Sequence, residues 1–166
     1  KEGRPYTGVL FAGLMITPDG PKVIEYNCRF GDPETQVVLP LFDGDLTDLL
    51  YKASAGGFDS NGLLPVKNEY CLCLVLASGG YPGKYQTGYE IKGLEKASYA
   101  DIIHAGTKLS DGKIVTAGGR VLNLVSSEPS LIEAKERAYR AASEIEFSDK
   151  YCRTDIGDKG IRNLKN

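Results

Sequence analysis

Lys22-Val23-Ile24-Glu25-Tyr26-Asn27-Cys28-Arg29-Phe30-Gly31-Asp32-Pro33-Glu34-Thr35-Gln36 is the stretch on which the reading of this chain turns. Lys22 to Tyr26 alternates as a half-buried strand does. Side chains alternate across a strand, so Glu25, Asn27 and Arg29 are expected on one face. A carboxylate and an amide two positions apart offer two hard oxygens to one side. Mg²⁺ accepts one or two such protein oxygens and fills its octahedron with water and substrate phosphates. Arg29 on that face fits a two-point clamp on a phosphate or a carboxylate. The same pattern also fits a polar strand at a sheet edge, with Glu25 paired to Arg29.

Working outward, Val9 to Ile16 is mostly apolar and is predicted as a buried strand. Pro18-Asp19-Gly20-Pro21 is a turn cluster, which makes the two strands a hairpin. After the hairpin, Asp32 is a candidate helix N-cap with Pro33 at the first helical position. Thr35 to Phe42 follows as a short apolar helix. Asp43 or Asp45 starts the next, with Leu46, Leu49, Leu50 and Ala53 inward and Gly56-Gly57 as its stop.

The stretch from Phe58 to Asn68 is the best boundary, which gives two parts, 1–60 and 61–166. In the second part, Tyr70 to Ala77 and Ala100 to Ala105 read as strands. Thr107 to Val115 reads as a hairpin around Ser110-Asp111-Gly112, and Val121 to Val125 as a further strand. Apolar positions Leu131, Ala134, Ala138, Ala141, Ala142 and Ile145 recur at the helical period, so 127–145 is predicted helical. Its cap is either Ser127, with Pro129 in the first turn, or Ser130 in a capping box with Glu133. Tyr151 to Asn166 reads as a polar tail. The order β-β-α-α, then four strands and a helix, points to an α+β fold.

Composition narrows the function. The chain has 166 residues, a formal net charge of -2 and 25% charged residues, which is not the profile of a nucleic-acid binder. No stretch approaches the roughly 20 apolar residues of a membrane span, and no signal peptide is visible. The four cysteines, Cys28, Cys71, Cys73 and Cys152, are scattered, and His104 is the single histidine. That spacing favours buried, reduced thiols over a disulfide framework or a zinc site. The first residue is Lys1 and an apolar run follows within a few positions, so a piece of a longer protein is expected.

The block from Gly8 to Thr17, followed by Pro21 to Gln36, is very similar to the signature region of the glycinamide ribonucleotide synthetase (phosphoribosylamine–glycine ligase) family. Gly79–Gly83, His104–Thr107, Gly118–Val121 and Tyr151–Gly157 resemble that family's later blocks, in order, so the whole chain is covered. The resemblance implies the C-terminal part of an ATP-grasp subdomain, a hairpin plus helices, followed by a small mixed-sheet C-terminal domain with a packing helix. It implies a cytoplasmic ligase of purine biosynthesis, with ATP as co-substrate and Mg²⁺ or Mn²⁺ as metal. Glycine's carboxylate would take the γ-phosphoryl group, and the amine of 5-phosphoribosylamine would displace phosphate to form the amide. Glu25 and Asn27 match the metal ligands, and Arg29 matches a catalytic residue facing the transferred phosphoryl group.

Asp32, Glu34 and Gln36 become candidates for holding substrate, with helix capping as their plain alternative. Arg120 becomes a candidate for the ribose 5-phosphate, and His104 for a substrate contact. Gly79–Gly83 fits a tight turn better than a phosphate cradle. The ATP lid and adenine pocket would lie in a missing N-terminal part, so the isolated chain is expected not to turn over. Other ATP-grasp ligases share a Glu-x-Asn-x-Arg strand, but the Gly-Asp-Pro-Glu continuation argues against them. A non-catalytic module has no physical need for the metal face.

Overall fold

Thr17 pairs with Gly20 across the two-residue loop Pro18-Asp19, and Thr17 Oγ1 donates to the Gly20 carbonyl at 2.8 Å. This closes the first hairpin of the computed structural model, which describes residues 2–57 and 63–164. The backbone divides into two compact units, Lys1–Lys67 and Asn68–Asn166. The boundary expected between 60 and 61 falls outside the described residues.

In the first unit, β1 (Phe11–Thr17) and β2 (Gly20–Asn27) form a two-stranded antiparallel sheet. Gly13 pairs with Glu25 but Leu14 pairs with Val23, so Ile24 is an extra residue bulged out of β2. The expectation of a buried strand over Val9 to Ile16 is corrected. Leu14, Met15 and Ile16 are 49%, 53% and 77% exposed, because two strands alone cover little of their own apolar surface.

Helix α1 (Thr35–Leu41) begins without a side-chain cap. Asp32 is therefore not the N-cap. The Gly31 carbonyl already accepts from Thr35 N at 3.0 Å and Thr35 Oγ1 at 2.6 Å, so backbone geometry sets the entry. Pro40 lies inside α1, and Phe42 turns extended directly after it. Helix α2 (Leu46–Ser54) is capped by Asp45, whose carboxylate accepts from Asp48 N at 3.0 Å. Leu46, Leu49 and Ala53 are half-buried, while Leu50 is exposed. Gly56, at φ +72°, ends the helix with Gly57 N donating to Lys52 O at 3.0 Å.

In the second unit, β3 (Tyr70–Ser78), β4 (Asp101–His104), β7 (Arg120–Glu128) and β8 (Lys150–Tyr151) form one sheet in the order β4-β7-β3-β8. The sheet was expected to be mixed; its pairings are all antiparallel. Strands β5 (Thr107–Ser110) and β6 (Lys113–Thr116) make a separate hairpin. Its turn is Asp111 (φ 50°) and Gly112 (φ 75°), the left-handed pair that a tight two-residue turn requires. Five strands, not four, precede the helix.

Alternation along β3 buries Leu72, Leu74 and Leu76. The register sets them opposite Ser126, Leu124 and Leu122 of β7. Helix α3 (Leu131–Glu144) covers this face with Ala134, Ala138, Ala141 and Ala142, whose small side chains let helix and sheet approach closely. Ser130 is its cap: Ser130 Oγ accepts from Glu133 N at 3.2 Å and donates to Glu133 Oε2 at 2.8 Å. The helix starts later than 127 because β7 keeps residues up to Glu128 paired with β3.

The tail holds structure that its polarity concealed. Beyond β8, helix α4 (Asp158–Leu164) follows the block Tyr151–Gly157. Tyr139 on α3 fixes that block, donating to the Arg153 carbonyl at 2.7 Å and accepting from Ile156 N at 3.1 Å. Burial pushes the Tyr139 phenol up.

Candidate functional site

Strand β2 carries the metal-type pair. Asn27 Nδ2 donates to Glu25 Oε1 at 2.9 Å. That bond fixes the amide's orientation, leaving its oxygen and Glu25 Oε2 as acceptors on the same strand face. The Glu25–Arg29 pairing considered from the sequence is not what forms. Glu25 takes its hydrogen bond from Asn27, and Arg29 Nη1 donates to the Phe30 carbonyl at 3.0 Å.

The bulge changes who shares this face. Strict alternation would set Lys22 opposite in sense to Glu25. The register instead sets Lys22 against Met15, two positions from Gly13, the partner of Glu25. Partners in an antiparallel pair point to the same side, so a cation joins Glu25 and Asn27. Nothing in the sequence marks Ile24 as the extra residue, and Lys22 was missed for that reason.

The loop after β2 brings three further candidates together. Gln36 Nε2 donates to Asp32 Oδ1 at 2.8 Å. Gln36 Oε1 is then a buried oxygen without a hydrogen-bond partner, and such an acceptor is costly unless a ligand or water satisfies it. Glu34 curls over Gly31, where any side chain would collide with its carboxylate. Beside this loop lies a cavity of about 180 Å³ lined by Val9, Leu10, Phe11, Phe30, Gly31, Glu34, Thr35 and Val38.

His104 and Arg120 belong to the second unit, at one end of its sheet. His104 is exposed, and its Nδ1 lies 2.9 Å from Thr107 Oγ1. Arg120 is half-buried and paired with Ala77. Its carbonyl accepts from Gly106 N at 2.7 Å.

The loop after β3 forms a turn: Gly79 N donates to Asp149 O at 2.6 Å and Tyr81 N to Ser78 O at 3.1 Å. The Tyr81 ring lies so close over Gly119 that no side chain fits there. At the tail, Arg153 grips Asp155 through two hydrogen bonds of 2.9 and 2.7 Å, which hold the Asp155 carboxyl below the ordinary range.

The cysteines were expected to be buried; none of the four is in a disulfide, and Cys28 is exposed while the others are half-buried. Burial, the largest effect, pushes the Cys71 thiol up. Among the described residues, no group of three or more His, Cys, Asp or Glu could hold a metal ion. One carboxylate and one amide do not cage a cation. They suit a hard divalent ion that takes its remaining ligands from water and phosphate. No helix among the described residues is long and apolar enough to cross a membrane.

Residues 71–159 match the profile of the phosphoribosylglycinamide synthetase C domain, and residues 1–35 that of the phosphoribosylglycinamide synthetase ATP-grasp (A) domain. A phosphoribosylamine–glycine ligase of Caldanaerobacter subterraneus is 49% identical over 156 residues, 94% of this chain and 37% of that protein. The trifunctional purine biosynthetic protein adenosine-3 of Gallus gallus is 46% identical over 163 residues, 97% of this chain and 16% of that protein. The crystal structure of phosphoribosylamine–glycine ligase from Thermotoga maritima superposes with a TM-score of 0.77 at 35% identity, over 89% of this chain and 36% of that one. The chain thus spans well under half the length of these relatives, and it belongs to the phosphoribosylglycinamide synthetase family.

Proposed function

We propose that the chain is part of an ATP-dependent ligase that joins glycine to 5-phosphoribosylamine, giving glycinamide ribonucleotide, ADP and phosphate in purine biosynthesis. The observation that carries this reading is the Glu25–Asn27 pair, held at 2.9 Å inside the block matched to the ATP-grasp domain. ATP, glycine and 5-phosphoribosylamine are the substrates, and Mg²⁺ or Mn²⁺ the metal. The rest of the ligase, which would hold the adenine of ATP, lies in the part of the relatives that this chain does not span. Four cysteines outside any disulfide fit a cytoplasmic enzyme.

A carboxylate is a poor acyl donor until its oxygen becomes a good leaving group. Glycine's carboxylate oxygen attacks the γ-phosphorus and ADP departs, leaving glycyl phosphate. The amine of phosphoribosylamine then attacks the acyl carbon, and phosphate leaves as the amide forms. Catalysis of this kind is mostly positioning and charge neutralisation. Glu25 and Asn27 would hold the divalent ion, which when bound neutralises charge on the β- and γ-phosphates. Arg29 faces the transferred phosphoryl group, and Lys22 adds positive charge on the same strand.

Gln36 Oε1, already oriented by Asp32, accepts from the glycine ammonium, with Glu34 supplying negative charge nearby. Arg120 takes the ribose 5-phosphate, and His104 contacts the same substrate. The test is ADP release by the full-length ligase with ATP, Mg²⁺, glycine and freshly generated phosphoribosylamine, each omitted in turn. Release that requires all four is expected. Release that needs a different carboxylate would move the protein to another ATP-grasp ligase. Release indifferent to every acceptor would overturn the ligase reading.

A further inference from the structure

We infer that Gly13 is a positioning residue for the metal-facing carboxylate, keeping clear the space that the Glu25 side chain occupies. This rests on the reading of Glu25 and Asn27 as metal ligands. Gly13 stands directly across the hairpin from Glu25. A β-carbon on Gly13 would sit 3.1 Å from Glu25 Cγ, with the Glu25 carbonyl at 3.7 Å and its amide nitrogen at 3.8 Å. The backbone atoms are at ordinary contact distance. The tight contact is with the stem of the carboxylate alone.

A glycine inside a strand loosens it, so the position needs a reason. Three reasons are general: a left-handed backbone, a bulge, or the close approach of another group. Gly13 is not among the glycines with positive φ, and the extra residue of the bulge is Ile24 on the opposite strand; what the geometry shows at Gly13 is close approach. The approaching group is the side chain that Asn27 also holds, from the other end, at Oε1. The carboxylate is thus held at its tip by a hydrogen bond, while its stem lies in the space that a side chain at position 13 would take.

An added methyl makes Glu25 shift by a few tenths of an ångström, because its stem is the part free to give. Groups that orient a metal ligand without touching the metal are typically worth 10–100-fold in affinity. The small size of this shift places Gly13→Ala near the lower end, on the order of tenfold. The loss falls on metal binding, so excess metal recovers the rate.

The experiment uses the full-length ligase, wild type, Gly13→Ala and Glu25→Gln. Mn²⁺ binding is followed by electron paramagnetic resonance with a non-hydrolysable ATP analogue, alongside the Mg²⁺ dependence of ADP release and thermal unfolding. Gly13→Ala is expected to bind Mn²⁺ on the order of tenfold more weakly, to melt as wild type does, and to regain its turnover as Mg²⁺ is raised. Wild-type Mn²⁺ affinity in Gly13→Ala, with weakened binding in Glu25→Gln, would overturn the positioning role and leave the metal site standing. Wild-type affinity in Glu25→Gln would overturn the metal reading itself. A Gly13→Ala enzyme that melts early and ignores added Mg²⁺ would show that the glycine serves the strand, which also overturns the inference.

Discussion

Asn27 donates from its side-chain amide to Glu25 Oε1 at 2.9 Å, so the two oxygens offered by β2 are oriented before any ligand arrives. Asn27→Ala removes one oxygen and the donor that holds the other. We expect Mn²⁺ affinity in the full-length ligase to fall by at least the roughly 10–100-fold that loss of an orienting partner alone costs, with far-UV circular dichroism unchanged. Asn27→Asp retains an oxygen at that position and should keep more affinity than the alanine variant. Unchanged binding in Asn27→Ala would remove Asn27 from the metal's ligands.

Leu74 is fully buried, opposite Leu124 and beneath α3. Leu74→Ala removes buried methyl groups and leaves a cavity, so a loss of about 3 kcal/mol is expected. Urea unfolding measures it. A loss under about 1 kcal/mol would mean that the sheet and helix collapse around the gap more readily than close packing allows.

Ser130, not Ser127, closes the start of α3. Ser130→Ala should cost about 1 kcal/mol, while Ser127→Ala, which removes no helix cap and gives up only a hydrogen bond with Cys71, should cost less. The reverse order in thermal or urea unfolding would reassign the cap.

Cysteine reactivity should follow exposure. Cys28 is exposed, whereas burial raises the Cys71 thiol above its usual range. The thiolate is the reacting form, so Cys71 needs a higher pH than a free thiol to reach half its maximal alkylation rate. Iodoacetamide labelling near neutral pH, followed by mass spectrometry, should modify Cys28 first. Faster labelling at Cys71 would contradict this environment.

Much of the local structure is legible from residue order because the deciding signals are short-range. Ser110-Asp111-Gly112 specifies its hairpin, Gly56-Gly57 its helix stop, and the alanine stripe on α3 its buried face. What escapes depends on pairing. Whether Ser127 belongs to a strand or a helix is decided by Cys71, its partner across β3 and β7. The bulge at Ile24 exists only in the register with Gly13 and Leu14, so Lys22 could not be assigned to its face beforehand. The small elements β8 and α4 lack periodicity of their own and depend on contacts such as Tyr139 with Arg153. The orphaned oxygen of Gln36 is likewise visible only once the chain has folded around it.

Among the described residues, the buried hydrophobic ones all fall from Leu72 to Phe147, and in Lys1–Lys67 the single buried position is Gly31. Lesions in the two units should therefore differ in their genetics. Damage among Leu72, Leu74 or Leu124 lowers the amount of folded protein, so it should be temperature-sensitive and relieved by extra gene copies or cooler growth. On the ligase reading proposed above, damage at Glu25 or Asn27 should leave the amount unchanged, and no increase in dosage should restore growth without purines.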